Sequence, residues 1–162
     1  MIDYNTKNII NIALTGHATT GKTTLAEAMA CNAGIIHKMG SIDSGTTVSD
    51  YREYEIQNQH SISLTLMNLE WNEKKFNILD APGYLDFHGE VKCALRVADL
   101  AVIVVSATDG IDIGTELCAI YADKDYGIPK LFIINMVDKD QADFDSTLSA
   151  LQNRYGRAVF PF

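Results

Sequence analysis

Four apolar runs of similar build frame this 162-residue chain: NIINIALTG at 8–16, FNILDAPG at 76–83, LAVIVVSATDG at 100–110 and KLFIINMVD at 130–138. Each ends in a polar or Gly-containing loop, and they are rich in Ile, Val and Leu without alternation. Short runs of this kind suit strands buried on both faces, as in a parallel sheet covered by helices. Helical periodicity fills the stretches between. Lys22–Asn32 is Ala-rich with Leu25 and Met29 four apart; Ile113, Leu117, Ile120 and Tyr121 share one helical face, as do Phe144, Leu148, Leu151 and Tyr155. The alternation predicts an α/β domain with a mostly parallel sheet and helices on both faces.

Two segments depart from it. Ile62, Leu64 and Leu66 alternate with Ser63 and Thr65, and Trp71–Phe76 offers a polar turn into the next run, so a hairpin adds one antiparallel strand. Gly34–His60 has little apolar periodicity; a loop of that length is uncommon in a compact domain unless it has a task, so a mobile functional loop is expected. No repeat, low-complexity tract or linker marks a second domain.

Charge limits what the chain can bind. Thirteen Lys and Arg against 21 Asp and Glu give a net charge of −8, and residues 1–60, 61–110 and 111–162 carry −2, −3 and −3, so no basic stripe hides in the linear sequence. Such a chain has no broad positive field for DNA or an anionic membrane; any polyanion must be held locally. Cys31, Cys93 and Cys118 form no CxxC spacing and are expected as buried free thiols in a reducing cytosol. The N-terminal MIDYNTKNII carries an acid at Asp3, and no run approaches the ~20 apolar residues of a membrane span. A soluble cytoplasmic protein is the expectation.

A local polyanion site is present. Gly16-His17-Ala18-Thr19-Thr20-Gly21-Lys22-Thr23 matches GxxxxGK(S/T), follows an apolar strand and opens a helix, with Thr24 next along. Gly16 and Gly21 let the backbone curl so that successive N–H groups face phosphate oxygens, and the helix N-terminus adds partial positive charge. Lys22 would neutralise the outer phosphates, and the Thr23 hydroxyl would ligate Mg²⁺.

Two further strings narrow the nucleotide. Asp80-Ala81-Pro82-Gly83 ends the second run as DxxG: the Asp can reach Mg²⁺ through water, and the Gly83 N–H can grip a γ-phosphate. The bland alternative is a simple turn. Asn135-Met136-Val137-Asp138 fits NxxD, in which the Asp138 carboxylate accepts both N–H groups of the guanine edge and Asn135 braces the loop. Adenine lacks that donor pair and would leave the carboxylate unpaired. The alternative for this string is an Asx cap on a helix over about 141–155.

With the three motifs in order, the chain resembles the GTPase domain of the translational GTPases, a P-loop NTPase fold, and within them elongation factor G and its paralogues, including the tetracycline ribosomal-protection proteins. The likeness extends through Ile36–Gly40, Gly45-Thr46-Thr47 with Asp50, Asp86-Phe87, Glu90-Val91, Asp138-Lys139 and Ala142-Asp143-Phe144. It implies GTP or GDP with Mg²⁺, GTP hydrolysis, and a nucleotide switch acting on the ribosome through the full-length protein.

The resemblance also implies that the long loop ends in a Mg²⁺-ligating hydroxyl. Ser63 of His60-Ser61-Ile62-Ser63 is the residue expected to pair with Thr23, ordering the loop only with γ-phosphate and Mg²⁺; the alternative is a polar residue on a strand's solvent face. Tyr84 stands where most of the family has a water-orienting His, and is the expected residue for placing water, beside Lys22 and Gly83 in catalysis. Met136 replaces a Lys whose stem covers guanine. The family's last core strand would start at Val159–Phe162, so the chain is expected to be the N-terminal part of a larger domain. Besides the GTPase, two readings stay open: a nucleotide-gated binding protein with little hydrolysis, motivated by Tyr84 and Met136, and an ATP-dependent kinase-like enzyme.

Overall fold

The computed structural model describes residues 4–161, so Asp3 and Phe162 lie outside the described residues. The strands are β1 (Ile9–Gly16), β2 (Thr65–Trp71), β3 (Lys74–Asp80), β4 (Leu100–Ser106) and β5 (Lys130–Asn135). They form one sheet of order β2-β3-β1-β4-β5, parallel throughout except where β2 meets β3. The helices are α1 (Lys22–Asn32), α2 (Glu53–Asn58), α3 (His88–Val97), α4 (Ile113–Ile120) and α5 (Phe144–Tyr155).

Alternation along the central strands feeds two cores. Leu14, Ile78 and Val104 meet Ala26 and Ala30 of α1 on one face. Ala13, Ile103 and Val105 meet Val91, Ala94 and Leu95 of α3, Cys118 and Ala119 of α4, and Leu151 of α5 on the other. Because both faces of β4 are covered, its sequence must be apolar at successive positions, which is why the run LAVIVVS carries no alternation. α1 and α5 fall at the predicted places. Helix α3 has no counterpart among the predicted elements; its stripe is only Val91, Ala94 and Leu95, interrupted by Lys92 and Cys93.

The hairpin is present, but its phase is corrected. The strand begins at Thr65, so Ile62 and Leu64 precede it; Met67 and Leu69 are buried while Leu66 is 56% exposed. Asn72 and Glu73 take φ of 48° and 61°, the two left-handed residues a tight hairpin turn demands, and that turn fixes the register Trp71 to Lys74. The long loop is also less irregular than expected, since α2 forms within it. The cysteines are free, yet only Cys118 is buried; Cys93 lies on the outward side of α3 and is exposed. No strand forms at Val159–Pro161, and β5 is an edge strand among the described residues, with an apolar trough of about 610 Å³ between it and α5. No helix among the described residues is long and apolar enough to cross a membrane.

The β2 register makes a prediction. Leu69→Ala should cost about 2–4 kcal/mol in urea unfolding by leaving a cavity against α1, whereas Leu66→Ala should stay within about 0.5 kcal/mol. The reverse order would mean that the strand is slipped by one residue.

Candidate nucleotide site

The carboxyl ends of β1, β3, β4 and β5 lie along one edge of the sheet, and chain order reverses where β1 meets its two parallel neighbours. Ligands of open α/β sheets bind in the crevice at such a point. The loop 17–21 leaves β1 there. Gly16 (φ 135°) packs so closely on β4 that a Cβ would fall 2.4 Å from the Val104 carbonyl, and Thr19 (φ 63°) supplies a second positive φ that turns the backbone back. Thr20 donates its hydroxyl to the His17 carbonyl at 3.0 Å, and the buried Ala18 fills the turn's inner side.

Lys22 and Thr23 open α1 inside this cradle, and both are buried. The Lys22 ammonium donates to the His17 carbonyl at 2.5 Å. Burial pulls its pKa down, opposed chiefly by the Asp80 carboxylate. From the other side comes Gly83: a Cβ there would lie 2.4 Å from Lys22 Nζ and 2.7 Å from the Ala18 backbone, so the residue after Pro82 has to be glycine for its backbone to reach the loop. Asn135, at the end of β5, donates Nδ2 to the Thr20 carbonyl at 2.8 Å and so ties β5 to the cradle. Thr24 and Met136 complete the rim of a trough of about 380 Å³.

One corner of the trough gathers hydroxyls and carboxylates. Asp80 Oδ2 accepts from Thr23 Oγ1 at 3.0 Å and from Ser49 Oγ at 2.5 Å, while Asp80 Oδ1 is buried without a partner. Asp50 is also buried, with an unpartnered Oδ2. Burial raises the Asp80 carboxyl to about 6, against the pull of the Ser49 hydrogen bond and the Lys22 charge, and raises Asp50 as well. Two desolvated carboxylates with spare oxygens, beside threonine and serine hydroxyls, suit a hard divalent cation that keeps several waters. No cluster of three His, Cys, Asp or Glu exists among the described residues, so phosphate and hydroxyl oxygens would have to supply the inner ligands.

The hydroxyl set beside Thr23 is that of Ser61, with Oγ to Oγ of 3.2 Å, and not that of Ser63. Ser63 instead faces the Tyr54 hydroxyl at 3.4 Å, because its backbone N–H and that of Ile62 are both held by Glu55 Oε1, at 3.0 and 3.1 Å. Glu55 is fully buried, and so is Glu27 on α1, whose two oxygens take the N–H groups of Gly40 and Val48 at 2.8 and 2.6 Å. The expected mobile loop is thus pinned in this conformation by backbone N–H groups given to buried carboxylates. Sequence reasoning missed Glu27, Ser49, Glu55 and Ser61. Each is an ordinary polar residue with no motif; a polar residue that the fold buries is its only signal.

Tyr84 stands at the mouth, 40% exposed, with the His60 ring against it at a centroid distance of 4.6 Å. Asp138 is exposed in the turn after β5. It is not a helix cap: α5 starts at Phe144, and Asp143 caps it by accepting from Ser146 N at 2.8 Å. The structure therefore lines one trough with Ala18, Thr19, Gly21–Thr24, Gly83 and Tyr84, with Asp80 bonded to Thr23 and Asn135 to Thr20 beside it, while Asp138 lies two residues after Met136 on an exposed turn.

Comparison with known proteins shows the family and the fold. Residues 7–160 match the model of the elongation factor Tu GTP binding domain. The chain belongs to that family. Within it, the chain is 37% identical over 152 residues to an elongation factor G-like protein of Mycobacterium tuberculosis, covering 93% of this chain and 21% of that protein. It is 37% identical to elongation factor G 2 of Borreliella burgdorferi, over 91% of this chain and 22% of the relative. Likeness to the tetracycline resistance protein TetM of Enterococcus faecalis is 36%, over 93% of this chain and 24% of the relative. A crystal structure of a Thermus thermophilus protein superposes with a TM-score of 0.88 at 35% identity, covering 91% of this chain and 22% of that one. The chain thus spans about a fifth to a quarter of the relatives' length. A translational-GTPase-type GTP-binding domain, built on a mixed sheet with one antiparallel pair, is the shared ground.

The raised Asp80 carboxyl has a stability consequence in cation-free buffer. Below about pH 4 it is protonated in folded and unfolded chains alike; between about 4 and 6 only the folded chain keeps the proton, so stability falls as pH rises through that window and then levels. Asp80→Asn should remove a slope worth on the order of 2–3 kcal/mol, measured as the wild-type minus variant difference in urea unfolding across pH 4–7 with chelator present. A difference that is flat with pH would show an unperturbed carboxyl.

Proposed function

We propose that this domain binds GTP with Mg²⁺, hydrolyses it, and passes the state of the terminal phosphate to the ribosome through the protein that carries it. The observation that carries the reading is the meeting of three segments on one corner: Thr23 of the cradle, Asp80 of the DxxG string, and Ser49 and Ser61 of the long loop, within 2.5–3.2 Å of one another's oxygens. A ligand that engages this corner reaches the cradle and both loops at once.

In this reading the amides of 17–23 and the Lys22 ammonium hold the β- and γ-phosphates. Lys22 gives up the His17 carbonyl for phosphate oxygens that compensate its burial. Thr23 and Ser61 offer hydroxyls to the metal, with Ser61 in the part that the resemblance assigned to Ser63, while Asp80 and Asp50 accept from its waters. Bound there, Mg²⁺ would supply positive charge that offsets the phosphates. Gly83 presents its N–H to the γ-phosphate, and loss of that phosphate releases the 81–87 segment and the loop ending at Ser61. Asn135 and Asp138 read guanine, with Met136 against the base. Water attacks the γ-phosphorus, the bond to the bridging oxygen breaks, and GDP and phosphate leave with the water's proton on phosphate.

Relatives named as elongation factors favour a role in translation, for which we propose the ribosome as partner and the cytoplasm as location. Tyr84 favours a second reading, a nucleotide-gated binder with little hydrolysis. Single-turnover cleavage with and without ribosomes separates them, and stimulated cleavage excludes the second.

Nucleotide titration tests the binding assignments. Lys22→Ala should weaken GTP on the order of 10²-fold by removing a charge-assisted contact, and ATP should compete at least about 10³-fold worse than GTP, because the Asp138 carboxylate finds no donor pair on adenine. Unchanged GTP affinity in the variant removes the phosphate role, and equal competition by ATP removes the role of Asp138.

A further inference from the structure

Phosphoryl transfer to water requires a group that fixes the attacking water in line with the breaking bond. At the γ-phosphate end of the trough, Asp50 and Ser61 belong to the metal corner and Lys22 to the phosphates. Two rings remain. Tyr84 carries a phenol, and His60 carries an imidazole tilted 53° against it at 4.6 Å, with Phe87 6.2 Å away as a second support.

The imidazole is already oriented. Its Nδ1 faces the Ser61 carbonyl at 3.4 Å, and a proton on Nδ1 leaves Nε2 as a lone-pair acceptor for water. His60 also directly precedes Ser61, whose hydroxyl lies 3.2 Å from Thr23. The ring is therefore in place only when that serine is, so the metal corner and the water site assemble together. Half-burial between two aromatic rings restricts the ring to few orientations.

We propose that His60, carried on the long loop, is the residue that orients the attacking water, and that Tyr84 is a positioning residue that acts through its ring and not through its hydroxyl. Nε2 accepts a hydrogen bond from the water, whose oxygen bonds to the γ-phosphorus as the bridging P–O bond breaks; GDP leaves with that electron pair and phosphate keeps the water's proton. The proposal rests on GTP hydrolysis as read above.

The test uses the whole protein, including any sequence beyond Phe162, with ribosomes present. Single-turnover cleavage of radiolabelled GTP is measured beside the affinity of a non-hydrolysable fluorescent GTP analogue. His60→Leu should lose on the order of 10²-fold in cleavage rate with analogue affinity within about twofold, and His60→Gln, which can still accept from water, should recover most of that loss. Tyr84→Ala should fall with His60→Leu, while Tyr84→Phe, which restores the ring, should regain most of the rate. Cleavage by His60→Leu within about twofold of a wild type that itself cleaves overturns the proposal, as does a Tyr84→Phe defect as large as that of His60→Leu. A wild type that binds GTP and does not cleave it overturns the hydrolysis reading, and this proposal with it.

Discussion

Asp80 is fully buried at the end of β3, and its Oδ2 draws hydroxyls from two directions, Thr23 on the helix that follows the phosphate cradle and Ser49 on the long loop. Everything else at the site is arranged around the cost of that burial. A carboxylate taken out of water stays charged only with compensation nearby, and here the compensation is two hydroxyls and the Lys22 ammonium. Lys22 is itself buried and bonded to its own loop. The two charges stabilise each other poorly enough that Asp80 holds its proton to about 6. A cation and a polyphosphate bound there would relieve both groups together, which is how a chain of net charge −8 would hold a polyanion locally.

The same constraint explains why the long loop is pinned from beneath. Partly buried backbone N–H groups of Gly40, Val48, Ile62 and Ser63 need acceptors, and the fold supplies carboxylates, Glu27 from α1 and Glu55 from within the loop. Glu90 of α3 adds a third by accepting from Leu64 N at 2.8 Å. These bonds deliver Ser49, Asp50 and Ser61 to the corner. They also place His60 on Tyr84, joining the two loops whose positions a terminal phosphate would control.

Much of the architecture is legible in the sequence because double-sided burial writes itself as apolar runs without regular alternation. β1, β3, β4 and β5 lie where those runs lie, and α1 and α5 match their periodic stretches. Local pattern fails where two phases compete. Leu64-Leu66 and Met67-Leu69 both alternate, and only the turn at Asn72-Glu73 decides which pair faces the core. In the site, Gly16–Thr24 is readable since its residues are contiguous and each does local work on the backbone. Ser61 and Ser63 are indistinguishable as letters; what separates them is the reach of Glu55, a contact set by the fold. Ser49 meets Asp80 across a separation of 31 residues, beyond any local pattern.

The central claim is that a divalent cation and a guanine nucleotide share the Thr23–Asp80 corner. The direct measurement is a calorimetric titration of the whole protein with GTP, first with Mg²⁺ and then with chelator. The account predicts that chelation weakens GTP on the order of tenfold or more, since the terminal phosphates would then face the Asp50 and Asp80 carboxylates without an intervening cation. Equal affinity in the two conditions would contradict it.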